Sequence, residues 1–195
     1  MKIPKSTDRR VKRTRRLLRD ALLDLVLERG WDEVSVLDVC ERADVGRSTF
    51  YTHFADREAL LLSGYDDLRQ QLRGEIQRSS SNASRSLPFL PGLLAHVEEN
   101  RRLFRALVGK RAGQLAVMNF RRFVFDMVRE ELAAESRDRA KLEYAVRYIS
   151  GGISELLIWF VDVRPAPSAS EVEAVCLDLT KPLLTRLRSH HATTA

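Results

Sequence analysis

The sequence predicts an all-α protein, and three observations carry that expectation. Apolar residues recur at three- and four-residue spacing in nearly every segment, helix start and stop signals separate those segments, and no alternating apolar–polar run is long enough for a strand. The 195 residues are enough for one large domain or two small ones. No internal repeat is present.

In the first helix, Leu17, Leu18, Ala21, Leu22, Leu25 and Val26 form an apolar stripe, with Arg15, Arg16, Arg19, Asp20, Asp24 and Glu28 opposite. Gly30 stops it. Ser35 to Asp38 has the form of a capping box and opens a second helix on Val36, Val39, Cys40 and Ala43. That helix lasts only about two turns before "ADVG", where Asp44 tolerates the left-handed conformation a tight turn needs. Gly46 is an acceptable N-cap for a short helix over Arg47 to Phe54. Asp56 caps a fourth helix, which runs through Leu61, Tyr65, Leu68, Leu72 and Ile76 to Arg78.

The polar run "SSSNASRS", Ser79 to Ser86, is the expected boundary. It divides the chain into a head over 1–56 with a connecting helix over 57–78, and a second helical domain over 87–195. In that domain Pro88 and Pro91 lead into a helix through about Val108. Further helices cover roughly Leu115 to Ala133 and Asp138 to Val163. After the Pro-rich turn "RPAPSAS", Ser170 with Glu173 caps a last helix, which Pro182 must kink or divide.

Charge is placed unevenly. The chain carries +6 overall, yet residues 1–19 hold nine Lys/Arg and one acid, which leaves −2 on the rest. A basic head on a near-neutral body is the footprint of a polyanion binder, although a solvated or disordered tail has the same composition. The best apolar stretch, "GGISELLIWFVDV", is interrupted by Glu155 and Asp162, so no membrane span is expected. The N-terminus lacks the apolar core of a signal peptide. Two lone cysteines, Cys40 and Cys176, suit a reduced cytosolic setting and argue against structural zinc. Cys40 reads as a small apolar core residue.

Two short helices joined by a tight turn, after a supporting helix and a basic arm, make a helix-turn-helix unit for DNA. The second helix needs an apolar underside to hold it rigid, and Val39, Ala43, Val45, Phe50 and Phe54 supply one. Its other face must offer donors to phosphates and base edges, and Arg47, Ser48, Thr49, Tyr51, Thr52 and His53 supply those. The basic arm would track phosphates or enter the adjacent minor groove. His53 also fits a partly buried structural role, and the Tyr51 ring can pack while its hydroxyl reaches out.

The pattern resembles the N-terminal domain of the tetracycline-repressor (TetR) family of bacterial transcriptional regulators. The resemblance runs from about Thr14 to Leu62 and includes "ERG", Trp31, Ser35, "ERADV", "STFYTHF" and "DREAL". It implies phosphate contacts from Thr49, Tyr51 and His53, and base reading by Arg47, Ser48 and Thr52. Arg57 stands where the family usually has a lysine at the start of the fourth helix. Ser35, Thr14 and Arg15 join the implied DNA-binding set. Asp44 stands where a turn glycine is common, Gly46 where a serine cap is common, and Arg19 at a usually apolar position.

The resemblance also implies dimerisation and a small-molecule effector pocket in the second domain. Leu142, Ala145, Ile149, Ile153, Leu156 and Phe160 form one stripe there, and Val172, Val175, Leu179, Leu183 and Leu187 another. Two such helices from each of two chains would make an intermolecular four-helix bundle, although an internal core also needs such stripes. Gly151-Gly152 costs about 2 kcal/mol relative to Ala-Ala in a helix, so a close helix approach is a reason to have it. His96, Asn100, Phe104, Asn119, Phe120, Phe123, Met127, Tyr148, Glu155 and Trp159 have the composition of an apolar pocket with polar anchors, and equally of plain core. Glu155 would anchor a ligand or pair with an arginine.

An enzyme is not expected. The chain has no G-x-S-x-G, P-loop, HExxH or Gly-rich nucleotide fingerprint. His53, His96, His190 and His191 lack metal-ligand spacing. The expected partners are duplex DNA with a pseudo-palindromic operator, a second copy of the chain and an unidentified small molecule, with neither metal nor cofactor. A related module acting through a protein partner is the alternative, and the basic arm with an intact "STFYTHF" argues against it.

Overall fold

The computed structural model describes residues 5–78, 87–109, 114–133, 135 and 138–189; the expected boundary at Ser79–Ser86 and the first four residues of the basic arm lie outside them. Every regular element among the described residues is a helix. None of these helices is long and apolar enough to cross a membrane. The chain divides into two compact units, Met1–Leu68 and Arg69–Ala195, with the division falling inside one long helix.

The first unit holds α1 (Lys5–Arg29), α2 (Val36–Ala43), α3 (Arg47–His53) and the start of α4 (Arg57–Arg78). Its core is Leu18, Leu22, Leu25 and Val26 of α1 against Trp31, Val34, Val39, Phe50, Phe54 and Leu60, all buried. Leu17, placed on the apolar stripe by its spacing, is instead exposed at the stripe's margin. Gly30 ends α1 at φ +83°, a left-handed backbone that glycine adopts without strain. The basic segment is not an extended arm: from Lys5 onward it is the first half of α1. Arginine and lysine are good helix formers, and no glycine or proline interrupts Lys5 to Arg29.

The second unit holds the rest of α4 with α5 (Leu90–Glu99), α6 (Arg101–Val108), α7 (Gln114–Leu132), α8 (Arg139–Asp162) and α9 (Ala169–Ser189). Leu72, Leu90, Leu93, Leu94, Val97, Phe104, Phe120, Val124, Met127, Ile153, Leu157 and Phe160 fill its core. Arg69 and Arg73 on α4 reach Asp126 and Glu130 on α7.

Three sequence expectations change in this unit. The helix expected through Val108 is two helices, broken at Asn100 (φ −107°, ψ 29°), whose side-chain amide donates to the His96 carbonyl at 2.9 Å. The cap of α9 is not Ser170 with Glu173 but Ser168 with Glu171, two residues earlier. There the Ser168 N–H donates to Glu171 Oε2 at 2.7 Å, and the Glu171 N–H donates to the Ser168 hydroxyl at 3.3 Å. Finally, of the two effects expected of Pro182, to kink or to divide the last helix, division is absent: Pro182 lies inside a continuous α9.

Two arginines of α6 close the end of α8. Arg101 donates to the carbonyls of Phe160 and Val163, and Arg105 donates to that of Val161 at 2.8 and 3.0 Å. These are carbonyls that the helix terminus leaves unpaired.

Candidate nucleic-acid interface

The turn between α2 and α3 is built from local chemistry. Asp38 N–H donates to the Ser35 hydroxyl at 3.2 Å, and the Ser35 N–H donates back to Asp38 Oδ2 at 2.8 Å. This closes the expected capping box. The Ser35 hydroxyl and N–H, with Arg29 nearby, hold the Asp38 carboxyl down at about 2. Asp44 ends α2 in the left-handed conformation, φ 51° and ψ 48°, the role a glycine more often fills. Val45 N–H donates to the Cys40 carbonyl at 3.0 Å and completes the turn. Gly46 caps α3 from an extended backbone, φ −61°, which any residue could adopt, and no side chain bonds there. The Arg42 guanidinium grips Glu28 through two hydrogen bonds of 2.7 and 2.8 Å and ties α2 to α1.

Phe50 anchors α3. It is fully buried, 5.9 Å from the Phe54 ring and edge-on to Tyr51 at 5.4 Å. Arg47, Ser48, Thr49, Tyr51 and Thr52 are all exposed on the remaining surface of α3, with Tyr51 about half accessible at 52%. Arg47 has no hydrogen-bond or ion-pair partner among the described residues. The Thr52 hydroxyl donates to the Ser48 carbonyl at 2.9 Å, so its lone pairs remain outward as acceptors. His53 is half-buried, its ring 6.4 Å from that of Phe54.

Other residues of the expected set are placed differently. Thr14 and Arg15 are half-buried on α1, and the Arg15 guanidinium lies 5.0 Å from the centre of the Phe54 ring. Ser35 is exposed, but its hydroxyl is committed to Asp38. Arg57 turns inward: it donates to the carbonyls of Trp31, at 2.6 Å, and Val34, and it stacks 4.7 Å over the Trp31 ring. Its donors serve backbone carbonyls in the α1–α2 connection. Arg19, at the usually apolar position, pairs with Asp67 on α4. The helical form of the basic segment puts Arg9, Arg13 and Arg16 on one exposed stripe of α1.

The residues expected to line a pocket in the second unit divide into two sets. Phe104, Phe120, Phe123 and Met127 are buried together with Asn119. His96 is half-buried and edge-on to Phe104 at 5.8 Å, and Phe104 is edge-on to Phe120 at 5.9 Å. Burial lowers the pKa of His96. Tyr148, Glu155 and Trp159 are instead exposed on α8, and Glu155 pairs with Arg121. The expected dimerisation stripe is split too. Ile149, Ile153, Phe160 and Val172 are buried in their own chain, Leu156 and Leu183 are half-buried, and only Val175 and Leu179 are exposed.

Residues 18–63 match the family described as bacterial regulatory proteins, tetR family. A protein of Bacillus subtilis (strain 168), described as an uncharacterized HTH-type transcriptional regulator, YxbF, is 40% identical over 58 residues. That segment is 29% of this chain and only 15% of the length of the relative. The fold extends further than the sequence likeness. A TetR transcriptional regulator from Streptococcus agalactiae 2603V superposes with a TM-score of 0.64 at 22% identity, covering 90% of this chain and 97% of that one. A TetR-family regulator from Syntrophomonas wolfei gives 0.65 at 19% identity, covering 89% and 96%. The helix-turn-helix segment, residues 18–63, is thus matched in sequence to the tetR family of bacterial regulatory proteins, and the chain shares its fold with these two solved structures.

Proposed function

We propose that the protein is a dimeric, sequence-specific DNA-binding transcriptional regulator of the cytoplasm, a repressor released by a small-molecule effector. One observation carries the reading. The α3 helix is bolted down by Phe50 and Phe54 and presents an unbroken row of exposed polar side chains, beside a basic stripe on α1. A row of exposed polar groups on a rigid helix suits phosphates and base edges. In this reading Arg47, Ser48 and Thr52 read bases, while Thr49, Tyr51 and His53 hold phosphates. Arg9, Arg13 and Arg16 add charge along the backbone. Residues 1–56 then form the reading head, 57–78 the connecting helix, and 87–195 the regulatory and dimerisation domain.

Two such heads, one per copy, face successive major grooves and read a pseudo-palindrome. The exposed apolar residues of α8 and α9 support association of two copies, and the buried cluster around Phe104 and Phe120 supports an effector site that would form within the second unit. An effector that binds one dimer shape better than the other shifts the spacing of the heads.

The test is a footprint of the full chain on the DNA upstream of its own reading frame, across a salt series. A discrete, symmetric footprint whose affinity falls with rising salt is expected, since neutralised phosphates release counterions. Arg47→Ala is expected to lose about 1–3 kcal/mol of discrimination between sites, and Tyr51→Phe to weaken binding to every sequence alike. Retention without any footprint, or an Arg47 variant unchanged in affinity and preference, would sink the assignment.

A further inference from the structure

The flank of α8 that faces α7 carries small residues where α7 carries large ones. Ser150, Gly151 and Ser154 of α8 line one groove with Arg121, Arg122 and Phe125 of α7, and the groove holds about 600 Å³. That is the volume of a small-molecule site. Gly151 helps keep it open, and its own chain has no other use for a glycine there. Its backbone is not left-handed, and a methyl group added to it meets nothing within 4 Å.

Two polar groups of this groove are left without a partner. Ser154 is only 2% exposed, yet its hydroxyl makes no hydrogen bond among the described residues. Buried hydroxyls are ordinarily paired, and Ser150, one turn earlier, donates to the Arg147 carbonyl at 3.3 Å. Arg122 has neither ion pair nor hydrogen bond among the described residues. The charges around the groove do not balance either. Arg121 pairs with Glu155, while Arg129 and Arg147 share Glu143, each at 2.8 Å. Four guanidiniums against two carboxylates leave two positive charges over. Arg129 and Arg147 are also held in place, stacked at 5.1 and 5.6 Å from the centre of the Phe125 ring.

We propose that this groove binds a small phosphorylated organic molecule. Arg122 and Arg147, which both line the groove, face the phosphate, and the Ser154 hydroxyl donates to one of its oxygens. The organic body lies over Gly151 and against Phe125. A phosphomonoester carries a charge of about −1.5 to −2 at neutral pH, which matches the surplus, whereas a carboxylate would leave one cation over. Guanidinium groups also suit the geometry of phosphate oxygens. A hydroxyl buried in a groove is within reach of a small ligand and out of reach of a duplex backbone. The site is separate from the cluster around Phe104 and Phe120, neither of which lines it, and it stands or falls independently of DNA binding.

Isothermal titration calorimetry of the full chain, without DNA, tests it with phenyl phosphate as the probe. Phenyl phosphate is expected to bind once per chain. Inorganic phosphate and benzoate, each lacking one half of the ligand, should bind at least about tenfold more weakly. Arg122→Gln should weaken phenyl phosphate by about tenfold or more, and Ser154→Ala by about fivefold. Gly151→Leu should block the groove. Circular dichroism and Tm should stay at wild-type values for Arg122→Gln, since Arg122 is exposed and unpaired among the described residues. No heat at millimolar phenyl phosphate overturns the site. So does benzoate or inorganic phosphate binding as tightly as phenyl phosphate. Binding that survives both Arg122→Gln and Gly151→Leu also overturns it, because anions would then be gathering on basic surface at large.

Discussion

The α3 helix and the exposed face of α8 with α9 are both surfaces without a partner, but they are unpartnered in opposite ways. At α3 the apolar side chains of Phe50 and its cap Phe54 are buried, and Arg47, Ser48, Thr49, Tyr51 and Thr52 are exposed. On α8 and α9 the exposed residues are aromatic and aliphatic, while nearby charges such as Arg121–Glu155 and Arg147–Glu143 are already paired. A surface of unmatched donors suits a hydrated polyanion, and a surface of unmatched apolar groups suits another protein. The two faces therefore call for different partners, and variants can separate them.

The largest effect is expected at the anchor of α3. Phe50→Ala removes a fully buried ring and should cost about 3–5 kcal/mol, read as a lowered urea midpoint, with DNA binding lost alongside. Next door the comparison reverses. Tyr51 is half exposed, so Tyr51→Phe should leave stability within about 0.5 kcal/mol of wild type while DNA affinity falls. Were both variants to change stability equally, α3 would be core rather than a presented face. On the second surface, Leu179→Asp should leave the unfolding of the dilute chain unchanged within about 0.5 kcal/mol. Self-association should weaken by about 2 kcal/mol or more, measured by sedimentation.

The smallest effect concerns the cap that orients α2. Asp38 is held at about 2, first by the Ser35 hydroxyl, then by the Ser35 N–H and Arg29. Its folded pKa lies below the unfolded value of about 3.9. The stability it contributes is therefore fully present above the unfolded value and disappears as pH falls toward about 2. Ser35→Ala should move the Asp38 carbon resonance titration upward, and an unmoved titration would remove the hydroxyl as its cause.

How far each feature could be read in the sequence depended on how local its cause is. Ser35 and Asp38 lie three residues apart, the left-handed residue is Asp44 itself, and Phe50 and Phe54 share one face at i,i+4, so short windows contained the whole argument. Arg57 was misplaced because its acceptors, the carbonyls of Trp31 and Val34, are more than twenty residues away. The break at Asn100 carries no glycine or proline to mark it. On α8 the difficulty was one of choice. Periodicity picked out the stripe Ile149, Ile153 and Phe160, which is apolar and faces inward. A second stripe, Tyr144, Tyr148 and Trp159, is the one left exposed, and spacing alone does not say which stripe a chain keeps for itself. The Arg9–Arg13–Arg16 stripe was legible as charge but not as shape, because helix formation there depends on propensity without an apolar face.

The closure of α8 by Arg101 and Arg105 makes α6 and the last turn of α8 into a single latch. The two guanidiniums serve carbonyls of Phe160, Val161 and Val163, at the electronegative pole of the helix. Sliding α6 away would strand those acceptors together with two cations, an abrupt penalty where mere apolar contact would yield gradually. Displacing α6 within the second unit therefore either carries the end of α8 with it or breaks these hydrogen bonds.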